Sequence, residues 1–230
     1  MEQIHIGWNE FIENNKCLID EILLKVYIND EETIYPNKDD IFRSLFYFGP
    51  ADIKIVIIGQ DPYISHQMIK ITVDNKIINK KIPQAMGLSF SVPECHTKIP
   101  PSLKNIFKEI KNSYPDYEIP THGSLKRWCE DEKILLLNSS LTVNEGKSNS
   151  HSELWKPLTD NLIKYISDKN NKTCFLLMGN FAQKKEILID IKKHKIFKCI
   201  HPSPLSAHRG FLGCKIFKEI NEYLEKKIKW

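Results

Sequence analysis

The chain has 230 residues, with 33 Lys and Arg against 29 Asp and Glu and a formal charge of +4, a balance that permits a polyanion partner without requiring one. No run of about 18 apolar residues occurs, which excludes a membrane-spanning helix, and Met1–Asn15 lacks a cationic head followed by an apolar run, so no secretory signal is expected. The six cysteines show neither CxxC nor metal-ligand spacing, which speaks against a metal or iron–sulfur centre and for reduced thiols in an intracellular setting, cytoplasmic or nuclear.

The first strong element is Ile53–Ile58 (IKIVII), a continuous apolar run of the kind found in strands buried on both faces. It ends in Gly59-Gln60-Asp61-Pro62-Tyr63. Next, Ile69, Ile71 and Val73 alternate with Lys70 and Thr72, Asp74-Asn75 can make a tight turn, and Lys76–Asn79 can return. That pattern predicts a β-hairpin. Leu103, Ile106, Phe107 and Ile110 then follow helical spacing, with Ser102 placed as an N-cap. Ile134–Leu137 (ILLL) is a second buried strand and ends in Asn138-Ser139-Ser140. Trp155, Leu158, Leu162 and Ile166 make the next helical stripe. Thr173–Met178 (TCFLLM) is a third strand, followed by Gly179-Asn180 and a helix expected over Ala182–Lys193 with Asn180 as its cap. Ile196–Ile200 (IFKCI) is the fourth strand and runs into His201-Pro202-Ser203-Pro204. The last helix carries Phe217, Ile220, Leu224 and Ile228.

Strands alternating with helices predict an α/β fold with a mainly parallel sheet and helices on both faces, here as a single domain over residues 1–230. No linker or internal repeat divides the chain. In such sheets ligands bind beyond the carboxyl ends of the strands. The residues after the four runs therefore converge on one rim: Asp61, Asn138, the Gly179 turn and His201. Each alone also fits a bland role. Asp61 can satisfy local N–H groups in a turn, Asn138 can end a strand, and a lone histidine is most often structural. Together at matching strand ends they make a site.

Within that frame two longer motifs become specific. The chain resembles the family-1 uracil-DNA glycosylases through GQDPY at 59–63 and HPSPLSAHRGF at 201–211. Between them, in family order, lie GLSFS at 87–91, PPS at 100–102, LLLNSSLTV at 135–143 and GNFAQKK at 179–185. The similarity runs from about Trp8 to the C-terminus. It implies a three-layer α/β/α fold around a four-stranded parallel sheet, and a DNA-repair enzyme that flips uracil out of DNA and hydrolyses its N-glycosidic bond without metal or cofactor. By this resemblance Asp61 is ionised, holds the attacking water and stabilises the cationic sugar, while a neutral His201 donates to uracil O2. Asn138 pairs with the uracil edge, Gln60 contacts it through its backbone, Phe90 stacks on the base and Tyr63 fills the place of the thymine methyl group. Ser102, Gly179, Asn180 and Ser203 are implied phosphate contacts, Leu205 the wedge that enters the duplex, and Arg209, with His208, a backbone contact. The implied partner is uracil-containing DNA, single- or double-stranded, bound by a monomer. A proteinaceous uracil-mimicking inhibitor or a replication partner is a further partner class.

The chain also departs from the family. Between Tyr63 and Gln84 the family has a handful of residues opening with His-Gly-Pro, whereas this chain has 20, Ile64 to Pro83. Ile64 and Ser65 replace the His and Gly, with His66 as a candidate substitute. The inserted segment carries Lys70, Lys76, Lys80 and Lys81 against Asp74, a local charge of about +3. It reads either as a solvated edge with lysine gatekeepers or as an added DNA or partner contact. Met178-Gly179-Asn180 replaces Trp-Gly-Ser, and Leu154-Trp155 lacks one residue, with His151 retained. Three rivals weigh less: a silent DNA-binding or processivity subunit on the same fold does not need an intact site, Tyr63 argues against a thymine glycosylase, and a nucleotide hydrolase would need a P-loop or metal carboxylates.

Overall fold

A computed structural model describes residues 3–29, 31–73 and 76–230. In chain order the elements are α1 (Asn9–Asn14), α2 (Lys16–Val26), β1 (Ile34–Tyr35), β2 (Ile55–Gly59), β3 (His66–Val73), β4 (Lys76–Pro83), α3 (Pro101–Ser113), α4 (Lys126–Glu130), β5 (Ile134–Asn138), β6 (Val143–Asn144), α5 (Ser152–Lys169), β7 (Cys174–Met178), α6 (Gly179–Gln183), β8 (Lys195–Cys199) and α7 (Ile216–Tyr223). The central sheet is four-stranded and parallel, in the order β5-β2-β7-β8. Helices flank it, α2 packing on α5 and α3 on α7, which gives the three-layer α/β/α architecture.

The β2, β5 and β7 residues are all buried, as their unbroken apolar runs require. Each Ile, Leu or Val taken from water there contributes about 1.5–3 kcal/mol. The expectation of two-sided burial fails for Ile196–Ile200. β8 is the edge strand opposite β5, and unlike β5 it is only partly covered: its Lys195 and Lys198 face solvent, where charge discourages edge-to-edge pairing. β2 starts two residues later than its apolar run because the Ile53 carbonyl accepts from Asn170 Nδ2 (3.1 Å) and Thr173 Oγ1 (3.3 Å). Those side chains take a place that a ladder partner would hold.

Helix boundaries carry further corrections. Ser102 is not the cap of α3. Pro101 opens the helix and Pro100, extended at φ −58° and ψ 146°, is the capping residue. A residue before proline is pushed out of the α region, so the boundary falls there and Ser102 sits inside the first turn. Asn180 is not a cap either, because α6 already begins at Gly179 and Met178 precedes it. The helix expected over Ala182–Lys193 is this short piece followed by a 3-10 turn over Lys184–Leu188. The chain then turns back, with Ser167 Oγ accepting from Asp190 N at 2.9 Å. α7 stops at Tyr223, before Leu224 and Ile228. Asn221 grips both the N–H and the carbonyl of Ile228 (2.8 and 3.0 Å), folding the tail onto the helix. The turn expected at Asp74-Asn75 lies outside the described residues, but the hairpin is present and longer than its alternating core, pairing His66 with Pro83 through Val73 with Lys76.

Four features had no counterpart in the sequence reading. They are α1, α2, α4 and the two-stranded antiparallel sheet β1–β6. The last matters for the site, because Tyr63 and Ile64 pack on Tyr35, Ala85 and Val143 there. Ile64, which replaces the family's histidine, belongs to that small apolar cluster.

Candidate active site

The parallel strands deliver their carboxyl ends to one rim, and Gly59 of β2 lies in register with Asn138 of β5. A Cβ on Gly59 would collide with Asn138 Oδ1 and Ser89 Cβ, so glycine is required for the two strand ends to approach. At the other side Gly179 has φ +83°, and a Cβ there would stand 2.7 Å from His201 Cβ. These two contacts hold the acid loop, the amide and the histidine loop together. Gly59, Asp61, Tyr63, Phe90, Asn138 and His201 line one cavity of about 260 Å³, and Ser102 stands at its wall. That is below the roughly 300–1,000 Å³ of drug-sized sites and suits something as small as a nucleobase.

Asp61 is held by a loop that no local pattern pointed to. Its Oδ2 accepts from Ser148 Oγ at 2.6 Å and from Asn149 N at 2.9 Å. Both bonds fall on one oxygen, which leaves Oδ1 for a ligand. Asn149 is left-handed at φ +62°, and its Oδ1 accepts from Gln60 Nε2 at 2.6 Å. The Gln60 side chain is thereby turned to the 148–150 loop, while the Gln60 backbone carbonyl accepts from Ser140 N at 2.9 Å. The capping loop is in turn fixed at its ends. Ser150 Oγ accepts from Asn144 N at 2.8 Å, and Thr142 Oγ1 meets both His151 Nδ1 (2.9 Å) and Trp155 Nε1 (2.6 Å). Burial lowers the pKa of His151, so that network is neutral.

Phe90 also sits in a left-handed conformation, φ +63°. A non-glycine residue holds that shape only where its surroundings over-determine it. Here the two flanking serines do so. Ser89 N donates to Leu136 O, and Ser91 Oγ accepts from Leu125 N. Tyr63 Oη donates to Phe90 O at 3.1 Å, locking the two aromatic walls together, and desolvation pushes the phenol pKa up. The Phe90 and His201 rings lie 5.9 Å apart.

The tautomer of His201 follows from its neighbour. Ser203 N donates to Nδ1 at 3.0 Å, so Nδ1 bears no proton and the neutral ring carries it on Nε2. Burial lowers the pKa of this ring, which keeps it neutral. Asn138 is 7% exposed and lines the cavity, free to pair with a ligand edge.

The implied DNA contacts lie around the mouth. Ser203 Oγ accepts from Leu205 N at 3.2 Å, while Ser206 Oγ donates to His201 O at 2.9 Å. Buried Pro202, Ala207 and Phe211 anchor this turn, whereas Leu205 is 82% exposed. An apolar side chain raised on a rigid base is suited to insertion. Asn180 and Arg209 are exposed, and Gly179 is buried against His201. His66 does not reach the cavity wall. Its Nδ1 pairs with Glu145 Oε1 at 2.7 Å, so it does not replace the family's histidine.

Comparison with known proteins agrees with this geometry. A family model described as the uracil DNA glycosylase superfamily matches residues 46–225. The chain belongs to that superfamily. It is 45% identical over 205 residues to the uracil-DNA glycosylase of Idiomarina loihiensis, with 87% of each chain covered. It is 42% identical over 204 residues to that of Francisella tularensis subsp. novicida, covering 86% of this chain and 84% of the relative. Among solved structures, mimivirus uracil-DNA glycosylase superposes with a TM-score of 0.84 at 28% identity, covering 97% of this chain and 86% of that one. This chain is therefore a DNA-repair hydrolase of N-glycosyl bonds. The sequence motifs did not mark Ala85, Met86 or Ser148, which also line the cavity, nor Asn149, which with Ser148 holds Asp61 across 88 and 87 positions. The short polar stretch over residues 144–151, with a single glycine, gives no local sign of such a partnership.

Proposed function

We propose that Asp61, His201, Asn138, Phe90 and Tyr63 carry uracil excision in this chain. The observation that supports this reading is their convergence on one base-sized cavity. A uracil extruded from DNA would lie against Phe90, with Asn138 facing its N3–H and O4 and the Gln60 backbone facing its edge. Cytosine would leave those buried groups unpaired, at about 1–3 kcal/mol per group. Tyr63, tied to Phe90, would clash with a thymine methyl group.

As the N1–C1′ bond lengthens, positive charge grows on the sugar and negative charge on the base. The free Asp61 oxygen would face the cationic sugar and orient water. His201 Nε2–H would donate to O2 of the departing uracil. Water oxygen bonds to C1′, the N1–C1′ electrons leave with the base, the water proton passes to solvent, and the departing uracil anion takes up a proton from solvent. The products are free uracil and an abasic site. Leu205 would fill the vacated stack, while Ser102, Gly179, Asn180, Ser203 and Arg209 would face the flanking phosphates. The protein would act on single- or double-stranded DNA as a monomer in a reducing compartment, a setting that its six free thiols suit. A uracil-mimicking inhibitor protein is the second partner class, since a mimivirus variant with a TM-score of 0.86 was crystallised with UGI.

A uracil-release assay on single- and double-stranded oligonucleotides tests the proposal. Asp61→Asn and His201→Ala should each lower kcat by at least about 10²-fold. Wild-type protein that frees no uracil would overturn the function, and variants as active as wild type would overturn the roles.

A further inference from the structure

We propose that the β3–β4 hairpin is a second DNA-contact element, a lysine-bearing ribbon that follows the phosphate backbone beside the extruded base. The proposal rests on the glycosylase reading, and substrate length separates the two in the test below.

The first argument is position. The hairpin leaves the Asp61–Tyr63 loop with only Ile64 and Ser65 between them, so it rises from the rim where DNA must lie. Its root is clamped on two sides. Gln67 Oε1 accepts from Thr97 N (3.2 Å) and Thr97 Oγ1 (3.3 Å), and Gln67 Nε2 donates to Lys98 O at 3.2 Å. That segment leads directly into Ser102 at the cavity wall. On the other side His66 Nδ1 and Lys81 Nζ each lie 2.7 Å from the Glu145 carboxylate, at the start of the loop that caps Asp61. The ribbon is thus fixed to both loops that border the cavity and does not swing freely from a flexible tether.

The second argument is chemistry. Opposed residues of an antiparallel pair share a face. One face carries Lys70 opposite Asn79, and the other carries Lys80 opposite Ile69 and Lys76 opposite Val73. Lys81 is spent on Glu145. Lys70, Lys76 and Lys80 are exposed and have no carboxylate within ion-pairing distance among the described residues, so their charge is available to a polyanion. Met68, Val73, Ile77 and Ile78 are also exposed, which raises the rival of a protein partner. A dry protein interface would have to strip water from the interleaved lysines, and lysine is depleted in such interfaces. A polyphosphate gains from those lysines without requiring a dry face. Eight residues per strand span about 27 Å, enough to pass several phosphates spaced about 3.4 Å apart along one strand.

The experiment compares wild type with the triple variant Lys70→Gln, Lys76→Gln, Lys80→Gln, and with a charge-reversed Lys→Glu triple. Uracil release is measured on a single-stranded pentanucleotide and on a 30-base-pair duplex with central uracil, across 50–200 mM salt. On the pentanucleotide kcat and KM should stay at wild-type values. On the duplex kcat/KM should fall about 10-fold for the Gln triple and further for the Glu triple. The slope of log affinity against log salt should shrink by about 2–3. Unchanged duplex kcat/KM and salt slope, with normal pentanucleotide cleavage, would overturn the hairpin proposal alone. Equal losses on both substrates would also overturn it, because the effect would then run through the Asp61 loop. Wild type inactive on both would overturn the underlying glycosylase reading instead.

Discussion

The central sheet and the β3–β4 hairpin are built from similar residues and behave as opposites. β2 and β4 are both rich in isoleucine, yet every β2 residue is buried and most of β4 is exposed. The difference is the number of neighbours. β2 has a strand on each side and helices above and below, whereas the hairpin has only itself and a clamped root. Two isolated strands are marginal in water, so the hairpin owes its orientation to Gln67, His66 and Lys81. Isoleucine composition therefore says little about what an element contributes. Its place in the topology decides that.

This contrast can be broken most sharply by paired truncations. Ile57→Ala in β2 should cost about 2–5 kcal/mol, through lost burial and a cavity. Ile77→Ala in β4, where the side chain is 74% exposed, should stay within about 0.5 kcal/mol. Urea melts of both variants would measure this, and comparable losses would show that the hairpin packs on something the fold does not reveal.

A smaller effect is expected where the two regions meet, at the loop whose one end clamps the hairpin through Glu145 and whose other end caps Asp61. Ser148→Ala removes one of two donors to Asp61. Ser148 is exposed, so solvent screening reduces the usual strength of a charged hydrogen bond. A drop in kcat of about 3–10-fold with little change in KM should follow, and Ser148→Thr should restore the rate. If Ser148→Ala alters KM alone, the hydroxyl does not act through Asp61.

The smallest effect concerns His201. Burial lowers its pKa, so its titration followed by NMR should have a midpoint below the usual value of about 6.5, with the proton on Nε2 above it. The folded ring binds its proton less tightly than the unfolded one, so its contribution to stability is full above about 6.5 and is lost as pH falls toward the folded pKa. A midpoint above 6.5 would contradict both the desolvation and the acceptor role of Nδ1.

What the sequence determined by itself was the periodicity of the elements and the chemistry at their ends. Unbroken apolar runs marked the sheet strands, alternation marked the hairpin, and Asp61, Asn138 and His201 stood at strand ends because parallel topology sends ligands there. Tertiary structure decided what depends on distant partners. It made β8 a partly exposed edge and shortened α6 and α7 through the side chains of Ser167 and Asn221, whereas the start of α3 ahead of Ser102 was already encoded in the Pro100-Pro101 pair. It also brought Ser148 and Asn149 to Asp61 and took His66 away to Glu145. Local patterns record which side of an element faces inward. Which group answers across about ninety residues of chain depends on loop paths that only the packed fold defines.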